Sequence, residues 1–120
     1  MQLKIDEIFA EKVIPGNDSV RLADYIVEEM DLRALYRAYN SQGRPPATPP
    51  HIMLKIMLYA EMERIYSSRK IRSSCQRDIN YIWLLDGHPA PSHSEIARFR
   101  SNRLKECSKD LFVQVVGILR

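Results

Sequence analysis

The chain has 120 residues, of which 45% are hydrophobic and 28% charged, a composition typical of a soluble globular domain. It contains no run of about 18 apolar residues, and its N-terminus carries acids where a signal peptide needs an apolar segment. We therefore expect a cytoplasmic protein whose two cysteines remain thiols. The net charge of +3 is unevenly distributed. Residues 1–40 hold five basic and eight acidic side chains, whereas residues 41–120 hold thirteen basic and seven acidic ones. The basic character of the second part favours a polyanionic partner.

Helical spacing of apolar residues begins in the acidic front of the chain, residues 1–40. Asp18 or Ser19 can cap a first helix and Asp31 a second one, because their side-chain oxygens accept from the unpaired N–H groups of a helix start. Residues 41–50 then hold four prolines and a glycine, which prevent helix and strand alike and predict a linker. The front is therefore predicted to be a helical lead-in to a single domain.

The basic part, residues 51–120, continues the helical pattern. Thr48 is predicted to cap a central helix over roughly residues 49–65, which is apolar on nearly every side. Ser67 is predicted to cap the next helix, and Gly87 is a natural stop for it. No strand pattern occurs in the sequence. We predict an all-α fold of five or six helices packed as a small bundle, with a C-terminal half like a helix-turn-helix.

The last predicted helix begins within Ser92–Glu95, whose first and fourth residues have the spacing of a capping box. At about 100° per residue, its apolar side gathers Ile96, Ala97, Phe99, Leu104, Cys107 and Leu111. The opposite side gathers Arg98, Ser101, Asn102 and Lys105. Arg100 falls towards the apolar side, where we expect it to pair with Asp78 or Asp86 or to lay its stem along the core edge.

Two basic clusters lie on consecutive predicted helices, separated by a turn-rich segment. The first cluster has no acid between residues 64 and 77 and contains Arg64, Arg69, Lys70, Arg72 and Arg77. The second lies on the last helix and contains Arg98, Arg100, Arg103, Lys105 and Lys109, interrupted only by Glu106. This order is typical of a helix-turn-helix, in which one helix braces the DNA backbone and the next enters the major groove. The pattern predicts binding to double-stranded DNA.

The candidate DNA-binding residues differ in chemistry. Arginine pairs with guanine edges and asparagine with adenine edges, so Arg98 and Asn102 are the candidate base-reading residues. Ser92, Ser94 and Lys105 suit phosphate groups. The complete predicted set is Arg69, Lys70, Arg72, Ser92, Ser94, Arg98, Ser101, Asn102 and Lys105. A solvated helix surface has the same composition, and this second interpretation stays open.

No catalytic motif occurs: the carboxylates are scattered, and the sequence lacks a glycine-rich phosphate loop, a nucleophile elbow and a His-Glu-x-x-His motif. A zinc site could be assembled from Cys75, His88, His93 and Cys107, although the paired Cys-x-x-Cys half of a zinc finger is missing. We expect no metal, no cofactor, no small-molecule substrate and no catalytic residue in this chain.

Motifs in a fixed order along most of the chain resemble a known family. They are Ile14–Arg21, Gly43–Pro46, Leu54–Tyr59, Ser67–Ile71, Cys75, Asp78, Trp83–Leu84, Pro91–Ile96 and Phe99–Arg100. In this order they resemble the N-terminal domain of the InsH-like DDE transposases of bacterial insertion sequences. The resemblance implies a domain that contacts the terminal inverted repeats of the element, precedes a ribonuclease-H-like catalytic domain and helps to assemble the transposase multimer.

The resemblance implies no catalytic residue here, because the catalytic domain is not part of these 120 residues. It also implies that the full-length parent is a transposase. The apolar stretch Leu111–Leu119 needs a partner, which predicts either a truncation point inside a longer protein or a self-association surface. The alternative function is therefore a protein–protein interaction or dimerisation module with little DNA contact.

Overall fold

Helices make up the regular structure in the computed structural model, which describes residue 11, residues 13–40 and residues 47–119. The α-helices with described bounds are α1 (Ser19–Glu28), α2 (Arg33–Asn40), α3 (Pro50–Met62), α4 (Ser68–Arg77), α5 (Ile79–Leu85), α6 (His93–Arg98) and α7 (Lys105–Leu119). A π-helical segment, Phe99–Leu104, lies between α6 and α7. No strand occurs in these ranges, which confirms the predicted all-α class. No helix among the described residues is both long and apolar enough to cross a bilayer.

The helices outnumber the predicted five or six for two local reasons. Asp78 interrupts the single helix predicted over its region: at φ −90° and ψ 123° it is both the C-cap of α4 and the N-cap of α5, and its carboxylate accepts from the N–H of Asn80. The π-helical segment separates α6 from α7 without ending the helix. Residues 93–119 therefore form one continuous helical rod, here called the C-terminal rod.

Three predicted N-caps are confirmed by hydrogen bonds from backbone N–H groups to the capping side chain. The acceptors are Asp18 for α1, Ser67 for α4 and Ser92 for α6. Gly87 was predicted to stop α5, and the helix does end there, at Leu85. The C-cap is Asp86, at φ 51°, and Gly87 follows it at φ 85°. Local sequence therefore determines most helix ends.

The start of α3 differs from its prediction. Thr48 is not its cap: the N-cap is Pro49, which makes no side-chain hydrogen bond, and Thr48 is buried. Helix α3 begins with Pro50, whose missing N–H group removes one of the donors that a cap would satisfy. Residues 41–46 of the predicted linker lie outside the described residues.

Helix α3 is the central helix, as its nearly continuous apolar sequence predicted. From Ile52 to Ala60 every residue except Leu58 is buried. Helix α1 lies against α3, and α2 lies against α3, the π-helical segment and α7. Helices α1 and α2 therefore pack directly onto the basic part of the chain.

A buried lysine joins α1 to α3. Lys55 is 5% exposed, and its Nζ lies 2.7 Å from Asp24 Oδ1 and 2.6 Å from Glu28 Oε1. Burial by itself lowers the pKa of Lys55, but the hydrogen bonds to the two carboxylates outweigh it and the pKa is raised above its ordinary value. Because an unpaired buried charge is costly, this triad allows few other positions of α1 on α3.

Hydrogen bonds also hold α5 against the end of α3. Asn80 Nδ2 donates to the Tyr59 hydroxyl at 2.7 Å, and the hydroxyls of Tyr59 and Tyr81 donate to the two oxygens of Glu63 at 3.1 and 3.0 Å. The two tyrosine rings lie 5.0 Å apart between centroids. This network orients α5, which leads into the rod.

Helix α3 ends in a Schellman motif. The N–H of Ile65 donates to the Ala60 carbonyl at 2.8 Å, and the N–H of Arg64 donates to the Glu61 carbonyl at 3.1 Å. Arg64 has a φ of 59°, in the left-handed region that glycine occupies without a Cβ penalty. The turn between α3 and α4 therefore contains a sterically strained residue.

Candidate nucleic-acid interface

The C-terminal rod begins with the predicted capping box. Ser92 Oγ accepts from Glu95 N, and Ser92 N donates to Glu95 Oε1, both at 3.1 Å. The Ser92 hydroxyl is thus engaged at the helix start, where it satisfies a backbone donor. Ser94, the second residue of α6, is exposed.

A continuous exposed face follows along the rod. Its residues, here called the basic stripe, are Arg98, Ser101, Asn102, Lys105, Ser108 and Lys109. The buried side of the rod contains Ile96, Phe99, Cys107 and Leu111. The residues predicted for the polar face therefore lie on the exposed side. Ser108 and Lys109 extend the stripe, because they follow Lys105 by three and four residues and so lie on the same side of the helix.

Ala97 is exposed, although the helical wheel places it on the apolar side. The π-helical segment is the reason. A π turn closes its hydrogen bonds five residues apart instead of four, so the residues after it are turned back relative to an ideal α-helix. Phe99 and Cys107 then share a narrow buried arc with Ile96, and Ala97 falls outside this arc.

Ser101 makes contacts within the stripe. Its hydroxyl lies 3.0 Å from the Ala97 carbonyl and 3.3 Å from Asn102 Oδ1. The Asn102 carboxamide is thereby restrained on one side while remaining exposed. A restrained, exposed amide can present a donor and an acceptor together to a ligand.

Helix α4 lies beside α6 and carries the other predicted cluster. Arg69 and Lys70 are exposed in its first turn. Arg72 is half-buried, and its Nη1 donates to the Pro91 carbonyl at 2.9 Å and lies 3.5 Å from the Ala90 carbonyl. The guanidinium group of Arg72 is therefore engaged by backbone carbonyls, whereas the side chains of Arg69 and Lys70 are exposed.

Arg100 is also engaged by a backbone carbonyl. Its Nη1 donates to the Tyr66 carbonyl at 2.6 Å, across the turn between α3 and α4. Of the two environments predicted for Arg100, pairing with Asp78 or Asp86 is wrong, whereas the side chain does lie at the edge of the core, in a groove lined by Leu54, Met57 and Leu104. The carbonyl just ahead of a helix is a suitable acceptor because it has no donor within that helix.

Arg103 faces α2 instead of the stripe. Its guanidinium carbon lies 4.8 Å from the centroid of the Tyr39 ring, which in turn lies 6.2 Å from the Phe99 ring. Burial raises the pKa of Tyr39 to about 12, so this phenol is neutral at pH 7. The stacked arginine anchors the middle of the rod to α2.

The side chains considered for zinc have other environments. Burial raises the pKa of Cys75 to about 12, which favours the thiol over the thiolate that zinc binds. Cys107 is buried, and its Sγ donates to the Arg103 carbonyl at 3.4 Å. Over residue 11, residues 13–40 and residues 47–119, no group of three or more His, Cys, Asp or Glu side chains is arranged to hold a metal ion.

The fold and this surface define a class: a small all-α domain that exposes two neighbouring basic helices. Comparison with protein families matches residues 8–102 to the family described as Transposase domain (DUF772). The match covers more than three quarters of the chain, and the chain belongs to this family. The matched region ends within the π-helical segment, so that α7 lies beyond it. No curated protein and no solved structure matches the chain.

Proposed function

We propose that the chain is the DNA-binding, non-catalytic N-terminal part of a DDE transposase, and that it recognises the terminal inverted repeats of an insertion sequence. Membership of the transposase domain family supports the biological context. The observation that carries the proposal is the exposure of Arg98, Asn102 and Lys105 on a helix whose other side is anchored in the core. Phosphate-binding and base-reading groups are thereby presented together.

Arg98 and Asn102 are the base-reading residues in this proposal. They lie one turn apart on the exposed side of the rod. A guanidinium group can make two hydrogen bonds to O6 and N7 of guanine, and a carboxamide can pair with N6 and N7 of adenine. The helix that carries them is anchored by the buried Ile96 and Phe99, so they would approach the major groove from a fixed axis.

Phosphate contacts are assigned to exposed polar residues around this pair. On the rod they are Ser94, Ser101 and Lys105, and on α4 they are Arg69 and Lys70. Since α4 packs against α6, one DNA backbone can reach both helices. Such contacts orient a protein on DNA and carry no base sequence information themselves.

The chemistry of cutting and joining DNA is assigned to a ribonuclease-H-like domain outside these 120 residues. Several carboxylates of the described helices have structural partners instead: Asp24 and Glu28 bind Lys55, and Glu95 completes the capping box. We therefore assign no metal and no cofactor to this chain.

The test is a titration of the 120-residue chain against short duplexes from either side of its own gene, with shuffled duplexes of the same composition as the control. We expect a clear preference for flanking duplexes and a steep loss of affinity as salt rises, because counterions are released from the phosphates. Equal affinity for both sets would contradict recognition of element ends. No binding even at low salt would contradict DNA binding altogether.

Self-association is a second candidate function, supported by α7. Beyond Asp110 the exposed face of the rod changes from basic to apolar: Phe112 is 68% exposed, Val113 62%, Val116 38% and Leu119 58%. Exposed apolar side chains that share one helix face are typical of a contact surface between proteins. The partner in this candidate function is a second copy of the chain.

Light scattering at increasing protein concentration, with and without DNA, separates the two functions. A dimer that forms without DNA and dissociates in the Phe112→Asp variant supports self-association. Ser108→Asp is the matched control, because Ser108 is exposed on the same helix but outside the apolar part. A monomer at every concentration contradicts it.

A further inference from the structure

Two arginines connect α4 and the C-terminal rod reciprocally. Arg72, on α4, donates to the carbonyl of Pro91, which immediately precedes the N-cap of the rod. Arg100, on the rod, donates to the carbonyl of Tyr66, which immediately precedes the N-cap of α4. Each helix thus binds the residue just ahead of the other helix's first turn.

We propose that Arg72 and Arg100 are positioning residues, which fix the two basic helices relative to each other and do not contact DNA. This pair of hydrogen bonds is here called the reciprocal clasp. The inference rests on the proposed DNA-binding function and deepens it, because it separates the basic residues that bind DNA from those that orient the binding surface.

Both contacts have the geometry of charge-assisted hydrogen bonds, and the Arg72 contact is also partly buried, whereas the Arg100 contact is exposed to solvent. Bonds from a charged donor are shorter and stronger than neutral ones, and the 2.6 Å and 2.9 Å distances fit this type. Pro91 is fully buried and Arg72 is half-buried, so water competes little for that carbonyl. Neither arginine has a carboxylate as its hydrogen-bond partner among the described residues, so their positive charge is retained on this side of the protein.

Two separated contacts restrain more than one contact can. The Arg72 bond holds the start of α6 against the body of α4, and the Arg100 bond holds the start of α4 against the π-helical segment. A single contact would leave rotation about that point free, whereas two contacts at different ends oppose it. The positions of Lys70 and Asn102 relative to each other depend on that angle, and a binding site requires such preorganisation to be selective.

The experiment uses a duplex that the wild-type chain selects from a random pool, together with a shuffled duplex. The test variants are Arg72→Gln and Arg100→Gln, and the matched control is Arg77→Gln, since Arg77 is exposed in the last turn of α4. We expect the preference for the selected duplex to fall about tenfold in each test variant, the equivalent of one good base contact. The slope of log affinity against log salt should remain that of the wild type.

Direct DNA contact by these arginines predicts a different result. A slope that falls by about one unit, with the preference retained, would mean that a phosphate contact has been lost, and it would overturn the positioning role. A preference and slope both unchanged would overturn it as well. Arg100→Lys adds a second criterion: the charge is kept, so a phosphate contact would survive, whereas positioning by a planar guanidinium group predicts loss of preference.

Hydrogen exchange without DNA tests the clasp independently of DNA binding. Arg100→Gln should accelerate exchange of the first amides of α4, and Arg72→Gln should do so at the start of α6, whereas Arg77→Gln should change neither. Unchanged exchange in both test variants overturns the clasp. If the wild-type chain selects no DNA sequence, the proposed function is wrong, and so is the role of the clasp in DNA recognition. The hydrogen-exchange rates still show in that case whether the clasp itself exists.

Discussion

The Gln114 side chain forms a two-point pair with the backbone of Asp31. Gln114 Oε1 accepts from Asp31 N at 2.7 Å, and Gln114 Nε2 donates to Asp31 O at 2.8 Å, although the residues are 83 positions apart. A carboxamide presents a donor and an acceptor side by side, as a peptide unit does, so it can satisfy both backbone groups of one residue. This pair joins α7 to the turn between α1 and α2.

Gln114→Ala should lower the free energy of unfolding by about 1 kcal/mol, because the two solvent-accessible hydrogen bonds to Asp31 and a third one to Asp110 Oδ2 are lost together. Urea unfolding followed by circular dichroism measures the difference. Gln76→Ala is the control, because Gln76 is exposed on α4. Equal losses in the two variants would show that the pair with Asp31 contributes nothing specific.

The Glu28–Lys55 contact predicts a pH dependence of stability. The hydrogen bond from Lys55 lowers the pKa of Glu28 below its ordinary value of 4.5. Because the folded-state pKa is the lower one, the contribution of this contact is complete at neutral pH and is lost as pH falls through the folded pKa. The stability difference between the wild type and Glu28→Gln should therefore be present at pH 7 and shrink below about pH 4.5.

Urea midpoints measured from neutral pH to about pH 3 test this expectation. Glu29→Gln is the control, because Glu29 is the exposed C-cap of α1 and is the direct neighbour of Glu28 in the chain. Its profile should follow that of the wild type. A Glu28→Gln difference that stays constant over the whole range would rule out the expected linkage.

Arg64→Gly should stabilise the protein by about 1 kcal/mol. Arg64 occupies the left-handed position of the Schellman motif, at φ 59°, where a Cβ atom is costly and glycine is favoured. The entropy that glycine adds to the unfolded chain offsets part of the gain. Thermal unfolding measures the effect, and Lys109→Gly, at an exposed position inside α7, should destabilise by a similar amount. A lower Tm for Arg64→Gly would contradict the strain.

Substitutions in the basic surface should separate into two groups. Lys70→Ala and Lys105→Ala should each reduce the salt slope of DNA binding by about one unit, if each binds a phosphate. Arg98→Ala and Asn102→Ala should instead reduce discrimination between selected and shuffled duplexes, by about 1–3 kcal/mol each. Titrations at several salt concentrations measure both quantities. If all four variants bind DNA as the wild type does, these four residues are not part of a DNA-binding surface.

Local hydrogen bonds explain which features could be predicted from the sequence. Asp18, Ser67 and Ser92 each cap a helix through a backbone N–H two or three residues away, so the partner is always within the same short segment. The central helix was equally predictable, because an apolar sequence on every side requires burial on every side. The exposed side of the rod follows from the same periodicity.

Long-range partners explain what could not be predicted. Arg72 and Arg100 belong to the basic clusters by sequence, yet their acceptors lie 19 and 34 positions away. Any exposed carbonyl is an adequate acceptor for a guanidinium group, so chemistry alone does not select one. The π-helical segment, which turns the residues after it so that the buried arc no longer includes Ala97, likewise has no simple signal in the order of residues.

The amino-acid sequence by itself determined the all-α class, the caps of α1, α4 and α6, and the polar face of the last helix, because each depends on neighbours within one or two turns. Only the tertiary structure decided which arginines remain exposed, and which bind carbonyls such as those of Pro91 and Tyr66. The physical reason is that a long cationic side chain reaches many acceptors with similar energy, and the packing of α4 against the rod selects among them.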